Sequence, residues 1–412
     1  MDRLLRNARL HAHTHLVDIK IEGARIAAVT PAPDHDAATG NLEVWDLDGR
    51  VVLPGLVETH THLDKTYLPA ANHSGTLLEA IDIWRAIKAQ RGYTDVRAAA
   101  LRAVQQAVAH GVTALRSHVD TEAAADLTTV QALLDLRAAV ADVITVQLVA
   151  LGDAAGTPEQ RDTLRTALEM GVDCVGGAPV ICPDPHATID AALDLAQEFD
   201  KPVDLHIDET EDPAVLTLAY LAEQTVARDM AGRVTAGHCC SLAFVDDATA
   251  ARVMDAVAAA RINIITLPSC NLVLMGRGLR PSPRGGTRVK ELLARGVRVC
   301  AGSDNVQDPF NPFGGYDPLR SAFLNAHTAH MTGEDELYAG LDMVTGLAAR
   351  TLGLDDYGFV PGAAADLVVL DATRVLDAVI DPPPRLATFA RGRLVVRSEV
   401  TQRWDAAPFT AT

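Results

Sequence analysis

Two histidines separated by one residue, His60 and His62, follow the short run Leu53-Pro54-Gly55-Leu56-Val57. On an extended strand, side chains two apart face the same way, so this pair can direct both imidazoles at one ion. Further along come His118 and Asp120, then Asp153, then His206 with Asp208 and Glu209, then His238, and last Asp304. Three neutral imidazoles and one carboxylate, with a position left open, suit a divalent ion such as zinc or iron, which makes water a nucleophile near neutral pH. Such a nucleophile attacks a carbonyl or amidine carbon, and what remains is a proton relay to the leaving group. Glu209, three residues after His206, and Asp304 are placed for it. Cys239 and Cys240 are close enough to be soft ligands, yet the set is complete without them and they read as packing.

The elements that must position these residues follow from periodicity. Short β-branched runs end near His60, His118, Ala150, Gly176, His206, His238, Leu267 and Ser303, and amphipathic segments lie between them. The segments have recognisable ends. Thr94 to His110 stops at Gly111, Thr157-Pro158 opens a run closed by Gly171, and Thr287 to Arg295 stops at Gly296. Eight βα units in succession predict an α/β fold, a closed (β/α)8 TIM barrel over residues 53–357, with the site at the carboxyl ends of its strands. An open doubly wound sheet would give no reason for polar residues to recur at most strand ends. Residues 1–52 and 358–412 carry short alternating pieces such as Leu16 to Ile21 and Asp366 to Leu370, and together predict one small β-sandwich domain built from both chain ends. Residues 65–93 form an insertion longer than an ordinary βα loop, a candidate lid near the site.

Composition narrows the function. The 412 residues carry 36 Lys+Arg against 54 Asp+Glu, a net charge of −18, which argues against a delocalised grip on nucleic acid or anionic lipid. No apolar run approaches the ~20 residues needed to span a bilayer. The first ten residues lack the apolar core of a secretory signal, and the six cysteines include no CxxC pair, so reduced thiols and a cytoplasmic location are expected.

The stretch from Val51 to Lys65, with His206-Ile207-Asp208-Glu209, Gly237-His238 and Ser303-Asp304-Asn305, resembles the amidohydrolase superfamily. More narrowly it is similar to the cytosine deaminase branch, and the resemblance reaches the closing segment Gly358 to Leu370. It implies that His60, His62, His206 and Asp304 hold one divalent metal, zinc or iron. It further implies that His238 orients the nucleophile, that Glu209 protonates a ring nitrogen, and that Asp304 takes the proton from water and passes it to departing ammonia. Binuclear members need a carboxylate from the fourth strand, usually a modified Lys; Cys174 to Val180 offers neither Lys nor Glu, which implies a single metal. Lys65, after the first strand, is the wrong lysine for bridging; it and His118 are expected to support the site from beside the ligands.

Two departures bear on the substrate. Where the cytosine deaminases carry a substrate-binding Gln, this chain has Leu151-Gly152-Asp153, and an ionised Asp only accepts, so the bound edge should present N–H donors. Ser303-Asp304-Asn305 with Asp308-Pro309-Phe310 and Pro312-Phe313-Gly314 is equally similar to the N-alkylammelide amidohydrolases, although the ones considered lack the Glu supplied here by Glu209. Asp153, Asn305, Trp84 and Phe310 are the candidate substrate contacts, the aromatics by stacking on a flat ring. The leading expectation is metal-dependent hydrolytic deamination of a small cyclic amidine or guanidine, a pyrimidine- or triazine-like heterocycle, by a homo-oligomeric enzyme. The rivals are release of an alkylamine from an N-substituted ring, hydrolytic opening of a cyclic amide, and a catalytically silent barrel that only binds.

Overall fold

A computed structural model describes residues 2–11, 13–32, 42–69, 71–121 and 127–403. Its smaller part begins with strands β1 (Arg3–Ala8), β2 (Val17–Glu22), β3 (Arg25–Pro31), β4 (Glu43–Asp46) and β5 (Val52–Pro54). Eight strands then follow: β6 (Leu56–Thr61), β7 (Val112–Asp120), β8 (Thr145–Leu151), β9 (Cys174–Gly177), β10 (Val203–Ile207), β11 (Val234–His238), β12 (Asn263–Thr266) and β13 (Val299–Ala301). The chain returns to the smaller part with β14 (Leu367–Leu370), β15 (Arg385–Ala390) and β16 (Arg393–Arg397).

The eight central strands pair in sequence order, every ladder parallel, with helices between them. Their residues are almost wholly buried, as parallel strands covered on both faces must be. The barrel closes just past the last strand, where Thr61 bridges Asp304 and the Asp304 N–H donates to the His60 carbonyl at 2.9 Å. The expected helices form over Tyr93–Ala109, Pro158–Glu169 and Val289–Ala294. Thr157 and Gln160 cap the second of them reciprocally. Gly111 ends the first at φ +88°, and a Cβ there would come within 2.6 Å of Val368 on β14, so glycine also lets the barrel meet the smaller part.

That smaller part is a sandwich of two four-stranded sheets, ordered β3-β2-β1-β4 and β16-β15-β14-β5. Val17, Ile19 and Ile21 alternate inward along β2 and share one buried cluster with Leu367, Val369 and Phe389 from the other sheet. Because β5 pairs antiparallel with β14, both chain ends are needed to complete it. The insertion after β6 folds into the helix Leu77–Lys88, started by the Thr76 side chain accepting the Glu79 N–H. Among the described residues no helix is long and apolar enough to cross a membrane.

Candidate active site

The carboxyl ends of the barrel strands bring the separated motifs together. His60 is the penultimate residue of β6, His62 follows that strand, His206 lies in β10, His238 ends β11, and Asp304 comes three residues after β13. One donor atom each from His60, His62, His206 and Asp304 lies within 4.8 Å of the other three, and all four side chains are buried. The Asp304 Oδ1 is 3.2 Å from the His62 Nε2 and 3.5 Å from the His60 Nε2, while the His62 and His206 Nε2 atoms are 3.3 Å apart. His60 Nε2 and both Asp304 oxygens have no hydrogen-bond partner among the described residues. Buried polar atoms without partners are costly, and a converging His3Asp set of them fits a divalent cation.

The electrostatics agree. Burial, together with the Lys65 charge, pushes the His62 imidazole down to about 3, and burial among the other imidazoles holds His206 well below its usual value, so both are neutral at pH 7, the form a metal ligand needs. Burial opposes ionisation of Asp304, but the close approach of the His60 and His62 imidazoles, with His238 beyond them, outweighs it and holds the carboxyl well below the usual range. Asp304 and His238 both have left-handed backbones, with φ +59° and +66°, a strain of about 1–2 kcal/mol each for a residue with a Cβ.

His238 and Glu209 stand on the same cavity as the ligands. The His238 Nδ1 is 3.6 Å from the Glu209 Oε1, and its Nε2 is 3.9 Å from the Asp304 Oδ2. Burial and the Asp304 charge hold the Glu209 carboxyl well above its usual value, whereas burial pushes His238 down to about 4. Asn271, in the short helix Pro268–Leu274, sets the state of that imidazole. Its Nδ2 donates to the Gly285 carbonyl at 3.2 Å, so its Oδ1 faces the His238 Nδ1 at 3.3 Å. The ring proton therefore sits on Nδ1 and leaves the buried Nε2 as an acceptor. Nothing in the sequence pointed to Asn271, because its contact depends on how a loop folds back.

The remaining expected residues divide. Trp84, Asn305, Phe310 and Lys65 line the cavity, together with Leu77, Ile81 and Lys88 of the insertion helix. That helix is fixed to the end of β7, where the Asp120 Oδ2 accepts the Trp84 Nε1–H at 2.8 Å and a Lys88 Nζ hydrogen at 3.1 Å. Asp153 does not line the cavity; Leu151 and Gly152 do. Its carboxylate accepts the Thr188 hydroxyl at 2.9 Å and the Ala155 N–H at 3.0 Å, so the N–H-donor edge expected of the substrate loses its basis. His118 is fully buried behind the ligands, its ring 4.1 Å from that of His60 and 4.6 Å from that of His206. His60, His118 and Asp204 also converge within 4.8 Å, but Asp204 is bound to the Arg116 guanidinium at 2.8 Å, whose charge opposes a second cation there. Cys239 and Cys240 are fully buried, and none of the six cysteines is joined in a disulfide.

An eight-stranded parallel barrel with a buried His/Asp cluster able to hold a metal ion, and an acid beside it, fits a hydrolase acting on carbon–nitrogen bonds. The chain matches the amidohydrolase family over residues 43–100 and 88–396, and it belongs to that family. It is 34% identical to a pterin deaminase of Rhizobium rhizogenes, over 92% of this chain and 88% of that protein. Among solved structures it is similar to the 5-methylcytosine deaminase of Klebsiella pneumoniae liganded with phosphonocytosine, with TM-score 0.93, 34% identity and coverage of 97% and 100%. It is also similar to the N-isopropylammelide isopropylaminohydrolase of Burkholderia multivorans, with TM-score 0.84, 31% identity and coverage of 96% and 98%.

Proposed function

We propose that the protein is a hydrolytic deaminase of small amino-substituted nitrogen heterocycles, releasing ammonia, with His60, His62, His206 and Asp304 as the ligands of one zinc or iron ion. The observation that carries this reading is the convergence of those four donors within 4.8 Å, beside a cavity lined by His62, His206 and Asp304 together with Glu209 and His238. The deaminase relatives support it. When bound, the ion supplies the Lewis acidity that makes water nucleophilic near neutral pH.

The residues supply the rest. Glu209, kept protonated by burial and by the Asp304 charge, donates to a ring nitrogen and makes the adjacent carbon electrophilic. The His238 Nε2 accepts a hydrogen bond from the attacking water and so orients it. Asp304, held ionised, takes one proton from that water and returns it to the departing amine, and the second water proton restores the Glu209 acid as the ring carbonyl forms. The insertion helix, with Trp84 and Phe310, excludes solvent from the ring.

Release of an alkylamine is the second reading, favoured by the apolar lining of Leu77, Ile81, Val180 and Ile181, which offers an alkyl group a dry surface. A sandwich formed by residues 1–52 with 358–412, a barrel of 53–357, a homo-oligomeric state and a cytoplasmic location belong to the same proposal, the last supported by cysteines that form no disulfide. Elemental analysis of the purified protein, followed by ammonia and alkylamine assays on amino-pyrimidines, aminopteridines and aminotriazines, tests it. Metal near one equivalent per chain with ammonia release is the expected result; a filled site with no release from any ring overturns the substrate class.

A further inference from the structure

Lys65 is 4% exposed, and its side chain reaches the cavity that Glu209, His238 and Asp304 also line. Its ammonium lies over the ring of Trp84 at 5.1 Å and over that of Phe310 at 5.6 Å. Among the described residues it makes no hydrogen bond and no ion pair. Two of the four carboxylates around it, Asp120 and Asp308, are engaged elsewhere, and neither Asp64 nor Asp304 comes within ion-pair distance of the ammonium. Asp120 accepts from Trp84 and Lys88, and Asp308 accepts the N–H groups of Phe310 and Asn311 and the Asn305 amide. The charges of Asp64, Asp120, Asp308 and Asp304 offset the burial and keep the amine charged.

An ammonium desolvated to this degree, fenced by two aromatic faces and short of an acceptor, is a poor stabilising device. It is a good recognition device, because a site with a buried donor rejects a ligand that leaves the donor unpaired far more strongly than an apolar pocket rejects a misfit. The two rings already turn a face toward the ammonium, so they hold this donor as much as they offer surface to a substrate.

We propose that Lys65 is a substrate-binding residue whose ammonium donates to an oxo or oxyanionic oxygen on the ring, so that the site selects amino-oxo heterocycles over otherwise identical rings that lack the oxygen. The proposal rests on the deaminase reading above. It reverses the edge expected from Asp153: the bound ring presents an acceptor here in place of an N–H.

The test compares matched pairs, cytosine with 4-aminopyrimidine and pterin with 2-aminopteridine, in the metal-loaded wild type and in Lys65→Met, which keeps the stem and removes the donor. The wild type is expected to favour the oxo member by about 10- to 100-fold in kcat/KM, the worth of one charged hydrogen bond. In Lys65→Met that preference disappears, through loss on the oxo member alone, with metal content unchanged. Equal loss on both members overturns the proposal and leaves the deaminase reading intact. If the wild type releases no ammonia from any of the four, these rings are not its substrates and the wider panel above decides the deaminase reading. Dissociation constants of the same pairs, from quenching of tryptophan fluorescence, then decide Lys65 alone: an oxo preference lost in Lys65→Met supports its role, and an unchanged one overturns it. Lys65→Gln, which retains a neutral donor, serves if Lys65→Met does not fold; an intermediate preference is expected, and an undiminished one overturns the proposal.

Discussion

Glu58 joins the first barrel strand to the last: its Oε1 accepts the Ser303 N–H at 2.9 Å, and its Oε2 accepts the Ser303 hydroxyl at 2.5 Å. The same Oε1 accepts the His60 N–H at 3.2 Å. One fully buried carboxylate therefore ties His60 to the residue beside Asp304, two ligands from opposite ends of the barrel sequence. Burial pushes this carboxyl up to about 7. A folded-state value above the unfolded one means that the folded protein holds the proton more tightly, so the contribution of Glu58 to stability is fully present below about 4.5 and is lost as pH rises through about 7. The span is worth on the order of 3 kcal/mol. Glu58→Gln is expected to flatten that part of the stability–pH curve, measured by denaturant unfolding at pH 5 and pH 8. Glu58→Ala, which strands the Ser303 donors, is expected to cost about 2–4 kcal/mol and to weaken metal binding by about 10-fold or more.

Glu209→Gln keeps the size of the side chain and removes the transferable proton. Turnover is expected to fall by about 100- to 10,000-fold while bound metal, measured by elemental analysis, stays at the wild-type level. Unchanged turnover would remove Glu209 from the chemistry; loss of the metal would make it a structural support.

Chelation should separate binding from catalysis. Removing the ion is expected to abolish turnover and to lower the melting temperature, because four buried donors are left facing one another without a cation. Adding back zinc or ferrous iron separately, and reading turnover and melting temperature together, identifies the metal that restores both. His206→Ala is expected not to recover with either.

The barrel and the clustering of His60, His62, His206 and Asp304 were legible in the sequence because two periodicities did the work. Polar residues recurred at the ends of buried β-branched runs, and the spacing of two between His60 and His62 put both on one face. Glu58 obeys the same spacing from His60, yet its function could not be read, since its partner Ser303 is 245 positions away and is met only when the barrel closes. Spacing along a strand also stops being informative where the strand ends. Asp153 lies two residues past β8, and there the chain turns, so an acidic side chain near the rim need not face the cavity.

Asn271→Asp tests the tautomer assigned to His238. A carboxylate at that position still accepts from Nδ1–H and adds a negative charge that favours the imidazolium form, so the ring is expected to titrate higher and the basic Nε2 to be lost at neutral pH. Turnover should fall about 10-fold or more at pH 7 and recover toward alkaline pH, with metal content unchanged. A pH profile that keeps the wild-type shape would show that Asn271 does not act through His238.

Asp153 supplies the last test, because two roles for it predict different losses. As a substrate contact, its removal would change which rings are accepted. As the acceptor of the Thr188 hydroxyl and the Ala155 N–H, its removal strands one buried hydroxyl on the helix Pro185–Glu198 and one turn N–H, and leaves the cavity lining intact. The geometry favours the second role, since an Asp accepting the N–H two residues on is an ordinary turn device. Asp153→Ala is accordingly expected to lose about 1–3 kcal/mol of stability in denaturant unfolding and to rank a panel of aminoheterocycles as the wild type does. A changed ranking at unchanged stability would return Asp153 to the substrate.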